Sequence, residues 1–173
     1  MFTPITLQQV FNRSDVEMLA LLTSKGHGRR SWYDQDCKRH LLEHDDLELY
    51  FSKKLEPIAR EIFGDPTLKT SFSMYAKYDN EASSLSNHVD RHACVYTLDY
   101  CLSAKTIWPI SVGGVDYPIK ENEALAFMGM DTVHGRGPMT DPKSNQVEMV
   151  FFHFVPANHW FFEHCEDFTP DTV

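Results

Sequence analysis

The sequence predicts a mainly β domain, with helices in its N-terminal third and an antiparallel β sandwich or barrel after them. Three observations carry this reading. The first ~65 residues hold helical periodicity behind a capping signal. From about Ser71 apolar residues alternate with polar ones, as on a strand with one buried face. The strand-like runs that follow are short and closely spaced, with no helical pattern between them, which argues against alternating βαβ units. At 173 residues the chain fits one domain, 1–173. It divides into a helical N-terminal support (1–70), a β-core (71–160) and a C-terminal tail (161–173).

Ser14-Asp15-Val16-Glu17 has the form of a capping box, followed at helical spacing by Val16, Leu19, Ala20 and Leu22, with Gly26 as the stop. A second helical stretch is expected from Asp36 to Phe63, its apolar stripe formed by Leu41, Leu42, Leu49, Leu55, Ile58 and Ile62. Pro57 must kink or restart it, because proline has no amide to bond back one turn. Gly64-Asp65-Pro66 ends it. Phe72, Met74, Ala76 and Tyr78 then alternate with Ser71, Ser73, Tyr75 and Lys77. Further strands are expected at 93–102, 107–112, 115–119, 123–128 and 147–155, with Gly113-Gly114 as a tight hairpin turn.

Composition narrows the function. With 16 basic residues against 25 acidic ones, the net charge of −9 argues against nucleic-acid binding, which needs a surplus of Lys and Arg on one face. No apolar run approaches the ~20 residues of a membrane span, and the polar start MFTPITLQQVFNRSD is unlike a secretory leader. Cys37, Cys94, Cys101 and Cys165 lie far apart without a CxxC pair, as expected of reduced thiols in a cytoplasmic protein. The sequence is silent on oligomeric state.

The sharpest motif is Asn87-His88-Val89-Asp90-Arg91. On an extended segment, residues i and i+2 project to the same side, so His88 and Asp90 can reach one point. They supply two-thirds of a facial 2-His-1-carboxylate triad, the set that binds non-haem Fe(II) and leaves coordination positions open. His134 lies 44 positions after Asp90, in the turn GMDTVHGRGP after a predicted strand, and is the expected third ligand. Its competitors are weaker. His92 would crowd the edge that His88 and Asp90 share, His153 lies inside an apolar strand as a wall or core residue, and His159 follows Pro156 near the end of the core.

With these motifs the stretch from about Ser71 to Trp160 resembles the double-stranded β-helix (jelly-roll, cupin-like) core of the Fe(II)/2-oxoglutarate-dependent oxygenases. The resemblance rests on Tyr78, His88-Val89-Asp90, CVYTLDYCLS, IWPISV, ENEALAFMGM, His134 and VEMVFFHFV. It implies that His88, Asp90 and His134 ligate iron, that 2-oxoglutarate is the co-substrate, and that O2 is consumed as 2-oxoglutarate becomes succinate and CO2. The implied activity is hydroxylation of a small polar metabolite such as an amino acid derivative; Asp90, at the position where a halogenase has a small residue, argues against halogenation. Tyr78 matches a tyrosine that hydrogen-bonds the co-substrate. Many members also grip its far carboxylate with Arg or Lys at the start of the closing strand, where this chain has Ser144-Asn145-Gln146-Val147-Glu148. A buried dicarboxylate needs a cationic partner. Arg136 is the expected substitute, since a guanidinium can hold a carboxylate through two bonds, with Lys143, Arg91 and Lys105 behind it.

Two other clusters have plainer readings. Cys37, His40 and His44 share one face of the expected second helix, yet no fourth zinc ligand is evident. Lys25, His27, Arg29 and Arg30 form a basic loop that fits a solvated surface better than an anion site. Two rival functions stay open. One is a 2-oxoglutarate-independent cupin-type metalloenzyme, and the other a non-catalytic binding module on the same barrel.

Overall fold

The computed structural model describes residues 2–25, 28–80, 82–139 and 146–163. Among these residues eleven strands form two antiparallel sheets. The major sheet has the order β1-β9-β6-β11-β4-β3-β2, and the minor sheet the order β5-β10-β7-β8. From β4 (Lys69–Tyr78) onward the chain alternates between them. β5 (Leu85–His88) is minor, β6 (Tyr96–Ala104) major, and β7 (Ile110–Val112) and β8 (Val115–Tyr117) minor. β9 (Glu123–Phe127) is major, β10 (His134–Arg136) minor and β11 (Val147–Val155) major. This winding is the double-stranded β-helix. Gly113 and Gly114, with φ of +60° and +81°, make the β7–β8 turn that an L side chain would strain.

The major sheet is buried on both faces, which is why β11 reads as an almost unbroken apolar run. Val150, Phe152 and Phe154 join a layer with Leu19, Phe51 and Leu55 from the helices. Met149 and Phe151 join the inter-sheet layer with Ala76, Tyr78, Ile110 and Phe127. Each large side chain so buried contributes roughly 1.5–3 kcal/mol relative to its exposed state.

The N-terminal third differs from expectation. Helix α1 (Arg13–Ser24) forms, but its N-cap is Asn12, whose side chain accepts from the Asp15 amide at 2.9 Å; Ser14 lies inside the helix. The expected helix over 36–63 is two things. Its first part belongs to a hairpin, β2 (Arg30–Asp34) with β3 (Arg39–Glu43), which extends the major sheet beside β4. Only the later part is helical, as a wide π-helical turn (Leu47–Ser52) leading into α2 (Lys53–Phe63). The α-helix thus restarts upstream of Pro57. Leu41 and Leu42 misled the reading because adjacent leucines suit a helix stripe, yet here they face opposite layers of a sheet buried on both sides. β1 (Ile5–Gln8) was also unexpected; it pairs with β9 at the sheet edge. The 1–70 segment is therefore part helical cover and part sheet. The expected stop at Gly26 lies outside the described residues.

Candidate metal centre

His88 ends β5 and His134 begins β10, and the two are directly opposed partners on adjacent antiparallel strands. Their ring centroids are 4.4 Å apart. Asp90 follows two residues after His88, its backbone amide bonded to the Gly129 carbonyl at 2.9 Å. The three side chains each offer a ligand atom within 4.8 Å of the others, and no other such group occurs among the described residues. Asp90 Oδ1 lies 3.6 Å from His88 Nε2 and 3.5 Å from His134 Nε2.

Second contacts fix which atoms face inward. His88 Nδ1 is 2.8 Å from the Ser86 carbonyl and His134 Nδ1 is 2.9 Å from the Thr132 carbonyl. A carbonyl only accepts, so each ring carries its proton on Nδ1 and aims Nε2 at the shared point. Thr97 Oγ1 donates to Asp90 Oδ2 at 3.1 Å, leaving Oδ1 to the imidazoles, and Thr97 also meets His153 Nδ1 at 3.1 Å. The Thr97 proton is committed to the carboxylate, so His153 donates to the hydroxyl oxygen. Gly129 is required here, since a Cβ on it would stand 2.1 Å from Asp90 Oδ2 and 2.5 Å from Thr97 Oγ1.

The electrostatics match a site built for a cation. Burial alone would push the Asp90 carboxyl up, but the His134 and His88 imidazoles beside it, when protonated, outweigh burial and hold the group well below the usual carboxylate range. Burial opposes charge on His134 as well, yet Asp90 wins and raises it. Burial lowers His153 to about 4, so that ring is neutral, and pushes Asp99 up to about 6 despite Arg136 nearby. Two neutral imidazole nitrogens and one carboxylate oxygen form a donor set that fits a divalent first-row metal. The His88 side chain is 39% exposed against 4% for His134, so the centre opens on the His88 side.

A cavity of about 80 Å³ adjoins the three side chains, walled by Arg39, Leu85, Asp99, Phe151 and His153. Arg136 and Tyr78, expected at the co-substrate, stand behind that wall. Arg136 is buried, donates to the Trp108 carbonyl, covers the Trp108 ring at 5.1 Å and lies 3.9 Å from Asp99. Tyr78, fully buried, accepts from Arg39 Nη1 at 2.8 Å. The alternatives stand elsewhere. Arg91 covers the Phe72 ring, Lys105 is exposed beyond β6, and Lys143 lies outside the described residues. Arg39, Asp99, Thr97 and Gly129 have no role assigned from the sequence, whereas His153, expected as a wall or core residue, is buried in the cavity wall. Arg39 was hidden by the helix expectation, although RSWYD and RHLLE around four turn residues carry a hairpin signal.

The other expected clusters do not converge on a site. Cys37 sits in the β2–β3 turn, His40 packs on Tyr33 and His44 lies near Asp46; they form no metal group. Arg29 pairs with Glu43, Asp45 and Glu48, while His27 is outside the described residues. His92 lies beside Trp160, and His159 caps the turn Trp160–Phe162. Cys37, Cys94 and Cys101 are free thiols, and Cys165 is outside the described residues. No described helix is long and apolar enough to cross a membrane.

No protein-family model matches the chain, and no curated protein does. Solved structures match over most of its length. A Pseudomonas putida prolyl-4-hydroxylase superposes with a TM-score of 0.68 at 11% identity, covering 90% of this chain and 94% of that one. The non-haem α-ketoglutarate-dependent carbocyclase SnoK of nogalamycin biosynthesis gives 0.68 at 13% identity, covering 96% and 87%. HygX from Streptomyces hygroscopicus, solved with nickel, 2-oxoglutarate and hygromycin B, gives 0.65 at 11% identity, covering 90% and 83%. At these identities the likeness establishes the fold: this chain has the fold of the 2-oxoglutarate-dependent oxygenases.

Proposed function

We propose that the chain is a non-haem Fe(II)/2-oxoglutarate-dependent dioxygenase that hydroxylates a small polar metabolite, such as an amino acid derivative. The observation that carries this reading is the convergence of His88 Nε2, His134 Nε2 and Asp90 Oδ1 beside a cavity, within a fold common to enzymes of that class. These three residues would hold the iron. When bound, iron with 2-oxoglutarate and O2 supplies the oxidation, and the co-substrate leaves as succinate and CO2.

The chain's own residues orient and shield. The carbonyls of Ser86 and Thr132 keep the imidazoles in the tautomer a metal needs, and Thr97 holds the second Asp90 oxygen aside. Phe151 and Leu85 give the cavity apolar walls that exclude water from an oxidant. Tyr78 and Arg136 do not line the cavity: behind its wall, the Tyr78 hydroxyl accepts from Arg39 and Arg136 sets its positive charge beside Asp99. The cavity's size favours a small ligand over a polymer, as do the antibiotic-sized molecules that similar proteins bind.

Anaerobic addition of Fe(II) and 2-oxoglutarate tests the reading. A visible metal-to-ligand charge-transfer band is expected in the wild type and absent in His88→Ala. Colourless protein that forms no succinate under O2 would defeat it. The 2-oxoglutarate-independent cupin-type alternative, which would take a third histidine as ligand, is disfavoured because His153 directs Nδ1 to Thr97 and joins no metal group. Turnover without 2-oxoglutarate would restore it.

A further inference from the structure

The closing strand lacks a cation, and Arg39 supplies one to the cavity wall. It lies on β3, outside the segment that winds between the two sheets, and its side chain is only 13% exposed. Nε donates to Asp34 Oδ2 at 2.9 Å and Nη1 to the Tyr78 hydroxyl at 2.8 Å. Asp34 is itself held, its Oδ1 accepting the amides of Asp36 and Cys37 at 3.0 and 3.1 Å. A guanidinium fixed on two sides keeps little freedom to lose on binding. Its remaining nitrogen, Nη2, has no acceptor among the described residues, and Arg39 lines the cavity that His88, Asp90 and His134 share. Among the described residues, the other candidate cations, Arg136, Arg91 and Lys105, are absent from that wall. Arg136 is turned to Trp108 and Asp99, and Arg91 covers Phe72.

We infer that Arg39, held by Asp34 and Tyr78, is the carboxylate clamp of the cavity, gripping the remote carboxylate of 2-oxoglutarate. The assignment rests on the co-substrate reading above and adds to it a specificity for 2-oxo acids with a second carboxylate. It gives Tyr78 a positioning role, since the hydroxyl fixes Nη1, and leaves Arg136 as the counter-charge of Asp99.

Calorimetric titration of the Mn(II)-loaded protein with 2-oxoglutarate and with 2-oxobutanoate, which lacks the remote carboxylate, tests it. Wild type should prefer 2-oxoglutarate by at least about thirtyfold, the scale of a truncated buried charge pair. Arg39→Met should bring the two ligands within about threefold by weakening 2-oxoglutarate alone. Tyr78→Phe, which removes one oxygen from the core, keeps the test valid if Arg39→Met fails to fold. It should weaken 2-oxoglutarate about fivefold and leave 2-oxobutanoate unchanged, the scale of one hydrogen bond. A wild type that binds neither acid overturns the co-substrate reading itself. A wild-type preference that survives in folded Arg39→Met, as it would if the clamp served a substrate carboxylate instead, overturns the assignment to Arg39 alone. If Arg39→Met does not fold, an unchanged preference in Tyr78→Phe overturns it.

Discussion

At one end of the cavity, the three converging donors come from two neighbouring strand ends, β5 with its continuation and β10. Beyond them Arg39 and Asp99 line the cavity with Tyr78 and Arg136 behind its wall, and this remote set comes from β3, β6, β4 and β10. The metal end is organised by neutral contacts to backbone carbonyls and one hydroxyl, and it is partly open. The remote end is organised by charges taken out of water and paired with one another. The difference teaches where each end is fragile. Disturbing the first should lose metal with the fold intact, whereas disturbing the second should strike the fold.

The largest effect expected from this contrast is on stability. Arg136→Leu leaves Asp99, whose side chain is 5% exposed, without its ion-pair partner. Breaking a buried pair from one side costs about 3–5 kcal/mol, to be read from denaturant unfolding. A loss under about 1 kcal/mol would show that Asp99 draws no support from Arg136. Gly129→Ala is the counterpart at the metal end. Its methyl group collides with Asp90 and Thr97, so Mn(II) binding should fall below detection with a stability loss of about 1–3 kcal/mol. Retained metal affinity would mean that the backbone yields there.

Thr97→Val should weaken Mn(II) by about 10–100-fold with little change in melting temperature, and Thr97→Ser should restore it. Equal behaviour of Val and Ser would remove the hydroxyl from the account. The smallest effect is graded by pH. In metal-free protein Asp90 raises His134 above 6.5, so this contact's stabilisation is full below 6.5 and is lost as pH rises through the raised value. Metal must displace the same proton. Affinity should therefore fall as pH drops through that region, by up to about tenfold per unit for one displaced proton. A pH-independent affinity between 5.5 and 7.5 would mean His134 is not a ligand.

Much of the metal end was legible in the chain. His88 and Asp90 are two apart, so any extended backbone presents them together, and His134 directly follows a readable strand-and-turn. Their organisers were not legible. Thr97 and His153 meet because β6 and β11 pair in one register, with Thr97 opposite His153, and no local pattern specifies that register. Arg39 is hidden by a local ambiguity. Leu41-Leu42 suits a helix stripe as well as a strand buried on both faces, and only pairing with β4 decides between them.

By itself, then, the sequence determined the β-rich winding after Ser71, the chemical identity of the candidate metal donors and the lack of a cation on the closing strand. Period-two alternation and residue type act over a few neighbouring positions, and such short-range preferences survive in any context. The tertiary structure alone decided that β2 and β3 join the major sheet, that Arg39 reaches the cavity, that Arg136 turns to Asp99, and which Asp90 oxygen stays available. Each of these depends on strand register and on burial summed over residues far apart in the chain, where a buried charge settles only beside the partner that the whole fold brings to it.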